Sequence, residues 1–180
     1  QRRIFSIVDK FINFVETQRT NFDIPELVVL AEGDFISGDI HRELSITNEF
    51  PVPVQIAKAG WLLGTAVSRL AQVFPKVRLV EVGGDNHGRY QPKPQAKQKG
   101  TNNAMYLVYT FANQMLAAHP NVKTELHEAF QARVEIGSKF FLVEHGDNLP
   151  PSSLGTPYYS MSRHKGREAQ RRMLNGLGFD

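Results

Sequence analysis

Cysteine is absent from this chain, and so are long hydrophobic runs. Without cysteine there is no disulfide, no thiolate nucleophile and no cysteine-ligated zinc, so any metal site must use carboxylate, amide or imidazole ligands. No apolar run approaches the roughly 20 residues of a membrane-spanning helix, and no charged-then-apolar pattern marks a signal peptide. We therefore expect a soluble, cytoplasmic protein that has no membrane partner.

A large excess of charge is also missing, since the formal net charge is only +3. The distribution of charge along the chain is then more informative than its total. The 180 residues, of which 41% are hydrophobic, are enough for one well-buried core and too few for two domains. We therefore predict a single domain over residues 1–180, and the oligomeric state stays open.

Hydrophobic periodicity predicts a mixed α/β fold. Continuous apolar runs bounded by turn residues are typical of buried strands, and they occur at residues 26–31, 77–82 and 140–143. Apolar positions or basic residues at helical spacing predict helices over residues 2–19, 57–74, 103–118 and 162–175. The segment 89–100 is rich in proline, glutamine and lysine, and it predicts a loop.

Each of the three predicted strands ends in polar residues. Gly33-Asp34 follows the first strand, Asp85-Asn86-His87 follows the second, and His145-Gly146-Asp147 follows the third. In α/β sheets the carboxyl ends of strands are where ligands bind. An aspartate carboxylate, an asparagine oxygen and a histidine nitrogen are suitable ligands for a divalent ion such as Mn²⁺, Fe²⁺ or Zn²⁺. A second histidine beside the asparagine would be placed to protonate a leaving group.

In their order and placement these motifs resemble the calcineurin-like metallophosphoesterases, a family of phosphatases, phosphodiesterases and nucleases. Asp34 follows a glycine as in the family's GD motif, Asn86-His87 match its GNH motif, and His145 matches its single-histidine motif. The residues from Asp34 to Arg89 resemble in particular a branch common in phages. The resemblance covers roughly residues 27–180, and it implies a layered α/β/β/α sandwich that is incomplete in this chain.

The resemblance also implies roles for single residues in a site with two divalent ions, for which Mn²⁺ is favoured and Fe²⁺ or Zn²⁺ are alternatives. Asp34 would bridge the two ions, and Asn86 and His145 would bind the second ion. His87 would protonate the leaving oxygen or steady the phosphoryl group. The metal pair would polarise the phosphate and activate a water molecule for attack.

Parts of the family pattern are missing. No Asp-x-His motif precedes Glu26, and no Gly-His-x-His motif follows a later strand. Asp85 replaces the glycine that normally precedes Asn86, and the stretch 39–41, which has the letters of the first motif, is interpreted as the start of a helix. Together with Gln1 in place of an initial methionine, these gaps suggest a fragment that binds metal weakly and has little activity alone. The alternative is a naturally shortened, inert relative.

Two basic clusters bear on the substrate. One is Arg89, Lys93, Lys97 and Lys99, and the other is Arg163, His164, Lys165, Arg167, Arg171 and Arg172. Such runs most often form a solvated surface, but Arg89 is placed to bind a phosphate oxygen and Tyr90 to stack on a base. We therefore expect a phosphoester substrate, with DNA cleaved by a phosphodiesterase or nuclease. A phosphomonoesterase or protein phosphatase and a non-catalytic nucleic-acid-binding relative are the alternatives.

Overall fold

The structure is a computed structural model that describes residues 2–93, 95, 97–149 and 157–179. Within these residues, ten elements follow one another along the chain. The first seven are helices and the three strands of a parallel sheet. The ten elements are α1 (Arg2–Gln18), β1 (Glu26–Ala31), α2 (Arg42–Thr47), α3 (Val52–Ala71), β2 (Lys76–Val82), α4 (Ala104–Leu116), β3 (Val122–His127), β4 (Gln131–Ile136), β5 (Lys139–Glu144) and α5 (Tyr158–Met173).

The first three strands form a parallel sheet in the order β1-β2-β3. Glu26 pairs with Lys76 and Ala31 with Glu81, so β1 and β2 end at the same level. Parallel neighbours need crossover connections, and the helices between the strands supply them. The predicted mixed α/β fold is confirmed, and the carboxyl ends of all three strands share one edge.

Helices α3 and α4 pack closely on one face of this sheet. A Cβ atom at Gly60 would lie 2.8 Å from the Cβ atom of Phe111, and one at Gly64 would lie 2.9 Å from the Met115 sulfur. These glycines therefore allow α4 to approach α3. The main core lies between the sheet and the helices and includes Val15, Val67, Leu70, Phe74, Val77, Leu79, Met105, Val108 and Tyr109.

The other face of the sheet packs on a two-stranded hairpin. Strands β4 and β5 are antiparallel, and a turn with Gly137 at φ +62° joins them. Val80 and Val82 of β2 form a second, smaller core with the hairpin residues Ala132, Val134 and Val143. Helix α5 contacts the hairpin, since Arg172 donates a hydrogen bond to the Gln131 side chain at 3.1 Å.

The predicted elements occur in the structure with several differences, among them α5, which begins at Tyr158 and not at residue 162. The helix predicted from residue 57 begins at Val52, because Pro51 and Pro53 lie in its cap and first turn, where proline is compatible with a helix. Strands β3 and β4 were not predicted, and the predicted strand at residues 140–143 belongs to the hairpin. The stretch 39–41 leads into α2, with His41 as the residue that precedes it, as predicted. No described helix combines the length and the apolarity of a membrane span.

Candidate metal centre

The loop after β1 turns sharply at two residues with positive φ, Gly33 at +102° and Asp34 at +57°. Glycine is required at position 33, because a Cβ atom there would lie 2.7 Å from the Cβ atom of Asp85 and 3.0 Å from Nδ1 of His145. Three loops therefore meet at Gly33. This meeting brings the polar ends of β1, β2 and β5 together, although β5 belongs to a different sheet.

Asp85 holds two of these loops in place. Its side chain is 1% exposed, and its two carboxylate oxygens accept hydrogen bonds from the main-chain N–H groups of Asp34 at 2.8 Å and Gly88 at 2.7 Å. The carbonyl of Asp85 in turn accepts from the Asn103 side chain at 2.9 Å. Both carboxylate oxygens of Asp85 are therefore occupied by main-chain donors, so Asp85 is not a free carboxylate in the site.

Tyr109 fixes the ends of the two strands from the other side. Its hydroxyl lies 3.2 Å from the carbonyl oxygens of Ala31 and Val82, the last residues of β1 and β2. Burial raises the pKa of the Tyr109 hydroxyl above its usual value, so the group stays protonated and can donate. Helix α4 thus holds the strand ends from which both loops depart.

The structure brings together the three residues predicted to bind metal, Asp34, Asn86 and His145, which we call the ligand trio. The Nε2 atom of His145 lies 2.9 Å from Oδ1 of Asn86 and 3.6 Å from a carboxylate oxygen of Asp34. Its Nδ1 atom lies 2.7 Å from the carbonyl oxygen of Glu32. The imidazole is thereby oriented by a main-chain carbonyl from the loop after β1.

The hydrogen-bond pattern of His145 leaves a place for a cation. A carbonyl oxygen can only accept, so Nδ1 carries a hydrogen and donates it to Glu32. In the neutral ring the lone pair on Nε2 then faces two further acceptors, Asn86 Oδ1 and the Asp34 carboxylate. Either a proton on Nε2 or a metal ion between the three atoms would relieve this repulsion.

The donor set of the ligand trio fits a divalent transition metal. One imidazole nitrogen and two oxygens suit Mn²⁺, Fe²⁺ or Zn²⁺. Within the described ranges, no group of three or more His, Asp or Glu side chains could hold a metal ion. The trio therefore depends on Asn86, and it offers ligands for one ion; a second ion has no separate ligand group in the part of the chain described.

Two carboxylates near the site have altered acidity. Burial raises the pKa of Glu32 above its usual value, and the nearby His145 partly offsets this. Burial also raises the pKa of Glu81 to about 7, although the Asn113 side chain donates a hydrogen bond to it at 2.8 Å. Glu81 lies on the face of β2 that packs on α4. It acts on the stability of the sheet and not on the ligand trio.

His87, the predicted proton donor, is held in the same way as His145. Its Nδ1 atom lies 2.8 Å from the carbonyl oxygen of Ser37, which leaves Nε2 to carry or accept a proton. The loop that supplies this carbonyl is fixed by Gln55 of α3, whose side-chain oxygen accepts from the Ser37 N–H group at 3.0 Å. Gly38 allows the close approach, because a Cβ atom there would lie 2.0 Å from the His87 carbonyl oxygen.

Of the two predicted substrate-binding residues, Arg89 lines a described cleft. Arg89 lines this small cleft together with Lys93, Lys97, Lys99, Asp85 and Asp147. Tyr90 is 51% exposed and is not among the described residues that line this cleft. Partial burial raises the pKa of Tyr90. The structure therefore places Arg89 at the cleft, and the role of Tyr90 in binding stays a prediction.

Several residues that build the site were not predicted from the sequence. Asp85 was noted only as a departure, although a carboxylate at a turn with free N–H groups is a common hydrogen-bond acceptor. Asn103 precedes an apolar helical run, and as the N-cap of α4 it accepts from the Met105 N–H group. That pattern was available in the sequence. The bond from Asn103 to the Asp85 carbonyl was not, because it joins residues far apart in the chain.

Comparison with known proteins adds no relative, since the chain matches no protein-family model, no curated protein and no solved structure. The resemblance to metallophosphoesterases therefore stays a prediction from the motif residues.

Proposed function

We propose that this chain is a metal-dependent phosphoester hydrolase whose substrate is a phosphodiester. The observation that carries the proposal is the convergence of Asp34, Asn86 and His145, with the Nε2 atom of His145 facing two oxygens at 2.9 and 3.6 Å. Three residues from three separate loops place metal-ligand atoms at one point. A histidine nitrogen that faces two oxygens needs either a proton or a cation between them, and a divalent ion would bind all three atoms at once.

The layering of the chain is consistent with the proposed family. Helices α3 and α4 cover one face of the parallel sheet, the hairpin covers the other, and α5 contacts the hairpin. This order of helices, sheet, hairpin and helix supports the α/β/β/α arrangement that the resemblance implies. Among the described residues the two sheets have three and two strands.

Each residue of the site has a definable task. The ligand trio would hold a divalent ion, which supplies Lewis-acid polarisation of a phosphate oxygen when bound. The carbonyl of Glu32 keeps His145 in the tautomer that presents Nε2. The carbonyl of Ser37 does the same for His87, because it accepts the hydrogen of Nδ1. His87 can then donate a proton from Nε2 to the oxygen that leaves the phosphorus atom.

Binding of Mn²⁺ tests the proposal directly. We expect the wild-type chain to bind Mn²⁺ in a titration followed by the loss of the free-ion signal in electron paramagnetic resonance. His145→Ala should lower the affinity more than about tenfold, since even changes outside the ligand shell cost 10–100-fold. His119→Ala is the matched control, because His119 lies before β3 at the opposite end of the sheet and its carbonyl is the group that accepts from Val122. Equal affinities in both variants would contradict the proposed metal centre.

Turnover separates the classes of hydrolase. We expect hydrolysis of bis-p-nitrophenyl phosphate with Mn²⁺ to exceed hydrolysis of the corresponding monoester, and Asp34→Ala to abolish it. Preference for the monoester would favour a phosphomonoesterase. The second candidate, a nucleic-acid-binding relative without catalysis, is favoured by the lack of a ligand group for a second ion among the described residues. Metal binding without turnover of either ester would support it.

A further inference from the structure

The cleft beside the ligand trio, which we call the lysine cleft, is lined by four cations. These are Arg89, Lys93, Lys97 and Lys99. Like charges gathered around one space repel one another unless an anion lies between them. The question is whether acidic side chains of the chain itself already balance them.

The two carboxylates in the lysine cleft do not balance its charge. Both oxygens of Asp85 accept hydrogen bonds from main-chain N–H groups. Asp147 pairs with Lys99 at 2.5 Å. Among the described residues, Arg89, Lys93 and Lys97 have no ion-pair partner. Three positive charges of the cleft are therefore left for an external anion.

Arg89 shows the need for such an anion most clearly. One terminal nitrogen of its guanidinium donates to the carbonyl of Pro92 at 3.3 Å. Its Nε atom is buried and has no hydrogen-bond partner in the described part of the chain. A buried donor without an acceptor is costly, and phosphate oxygens are the acceptors that the guanidinium group matches best.

The lysine cleft is adjacent to the ligand trio. Asp85 lines the cleft and also binds the main-chain N–H group of Asp34. Asp147 lines it and lies two residues after His145. A ligand with successive phosphates, as in a nucleic-acid strand, could therefore place one at the trio and the next in the cleft.

The basic helix α5 is a weaker candidate for the same role. Arg171 and Arg172 both approach the Glu168 carboxylate, at 3.6 and 3.8 Å. His164 contacts Glu144, and the Arg163 guanidinium lies over the Tyr159 ring. Several of its cationic groups already have partners, whereas Arg89, Lys93 and Lys97 of the lysine cleft have no ion-pair partner among the described residues.

We propose that the lysine cleft binds a backbone phosphate of a single-stranded DNA substrate, adjacent to the phosphate that is cleaved at the ligand trio. This inference rests on the proposed function for the identity of the substrate. It assigns the cleft to a polynucleotide strand and not to a free phosphate ion.

Fluorescence anisotropy with a labelled oligothymidylate tests this assignment in the presence of EDTA, so that no metal is needed. Arg89→Gln is expected to weaken binding about tenfold, the loss typical of one charge-assisted hydrogen bond. Lys97→Gln should lower the slope of log K against log salt by about 0.7, the value for one phosphate contact of a single strand. Lys97 is exposed, so this variant should fold normally.

Lys139→Gln is the matched control, since it removes the same charge from an exposed residue at the far end of β5 from His145. The proposal is overturned if Lys139→Gln lowers affinity and salt slope as much as Lys97→Gln, or if Arg89→Gln and Lys97→Gln bind like the wild type. Competition by inorganic phosphate as strong as that of unlabelled strand would assign the cleft to free phosphate and overturn it too. The binding assay contains EDTA, so its result does not depend on catalysis. DNA binding in this assay, together with no hydrolysis in the Mn²⁺ assay, would contradict only the proposed catalytic function.

Discussion

The carboxylate of Asp85 accepts a hydrogen bond from the main-chain N–H group of Asp34 at 2.8 Å, across 51 residues of sequence. This bond connects the loops after β1 and β2, and it fixes a residue of the ligand trio whose φ of +57° is unusual for a side chain other than glycine. The geometry of the trio thus depends on a buried carboxylate that binds no metal itself.

Asp85→Asn should therefore lower stability and metal affinity together. Asparagine keeps one acceptor oxygen for one of the two main-chain N–H groups. Its side-chain NH₂ group would face the other N–H group, and two donors cannot bond to each other. We expect a loss of about 1–3 kcal/mol in the free energy of unfolding, measured in urea, because a buried donor loses its partner. Asp9→Asn is the control, since Asp9 pairs with Arg69 on the surface and should change stability by less than about 1 kcal/mol. Similar losses in both variants would contradict the role of Asp85.

Gly33→Ala tests the meeting of the three loops. A Cβ atom there would lie 2.7 Å from the Cβ atom of Asp85, and φ is +102°. Gly137→Ala is the matched control, because Gly137 also has positive φ but a Cβ atom would meet nothing within 4 Å. We expect Gly137→Ala to cost about 1 kcal/mol from backbone strain alone. Gly33→Ala should cost more and should also weaken Mn²⁺ binding, measured by titration; equal costs would show that the loops are not closely packed.

The pH dependence of stability should reflect Glu81. Its pKa rises from 4.5 to about 7 on burial, so the folded state holds a proton that the unfolded state releases at lower pH. The contribution of Glu81 is therefore fully present below pH 4.5 and is lost as pH rises through 7. We expect the midpoint of urea unfolding of the wild type to fall as pH rises from 4.5 through 7, and this fall to be smaller in Glu81→Gln. A wild-type profile that rises with pH there, unchanged in the variant, would contradict the buried protonated carboxyl.

The two adjacent residues Asn86 and His87 should separate metal binding from proton transfer. Asn86→Ala removes an oxygen of the ligand trio, so Mn²⁺ affinity should fall. His87→Ala should leave Mn²⁺ affinity nearly intact and reduce turnover of a diester by about 10²–10⁴-fold, the usual contribution of a positioned acid. Full activity in His87→Ala would mean that the residue does not donate the proton.

Local patterns in the sequence were sufficient to predict most of the elements. Apolar runs within Glu26–Ala31 and Lys76–Val82 predicted β1 and β2. The second is the central strand, and strands buried on both faces have continuous hydrophobic sequences. Strand β3 was not predicted, since Val122–His127 mixes polar and apolar residues and its pairing with β2 comes from the tertiary fold.

The sequence by itself also determined the chemistry of the candidate site, because Asp34, Asn86 and His145 each follow a strand and carry metal-ligand atoms. Only the tertiary structure decided how they meet. His145 follows a strand of the separate hairpin. Carbonyls of the loop after β1 orient both His145 and His87. The carboxylate of Asp85 accepts hydrogen bonds from main-chain N–H groups. Such contacts join residues distant in the chain, and no local pattern encodes the distance or direction between them.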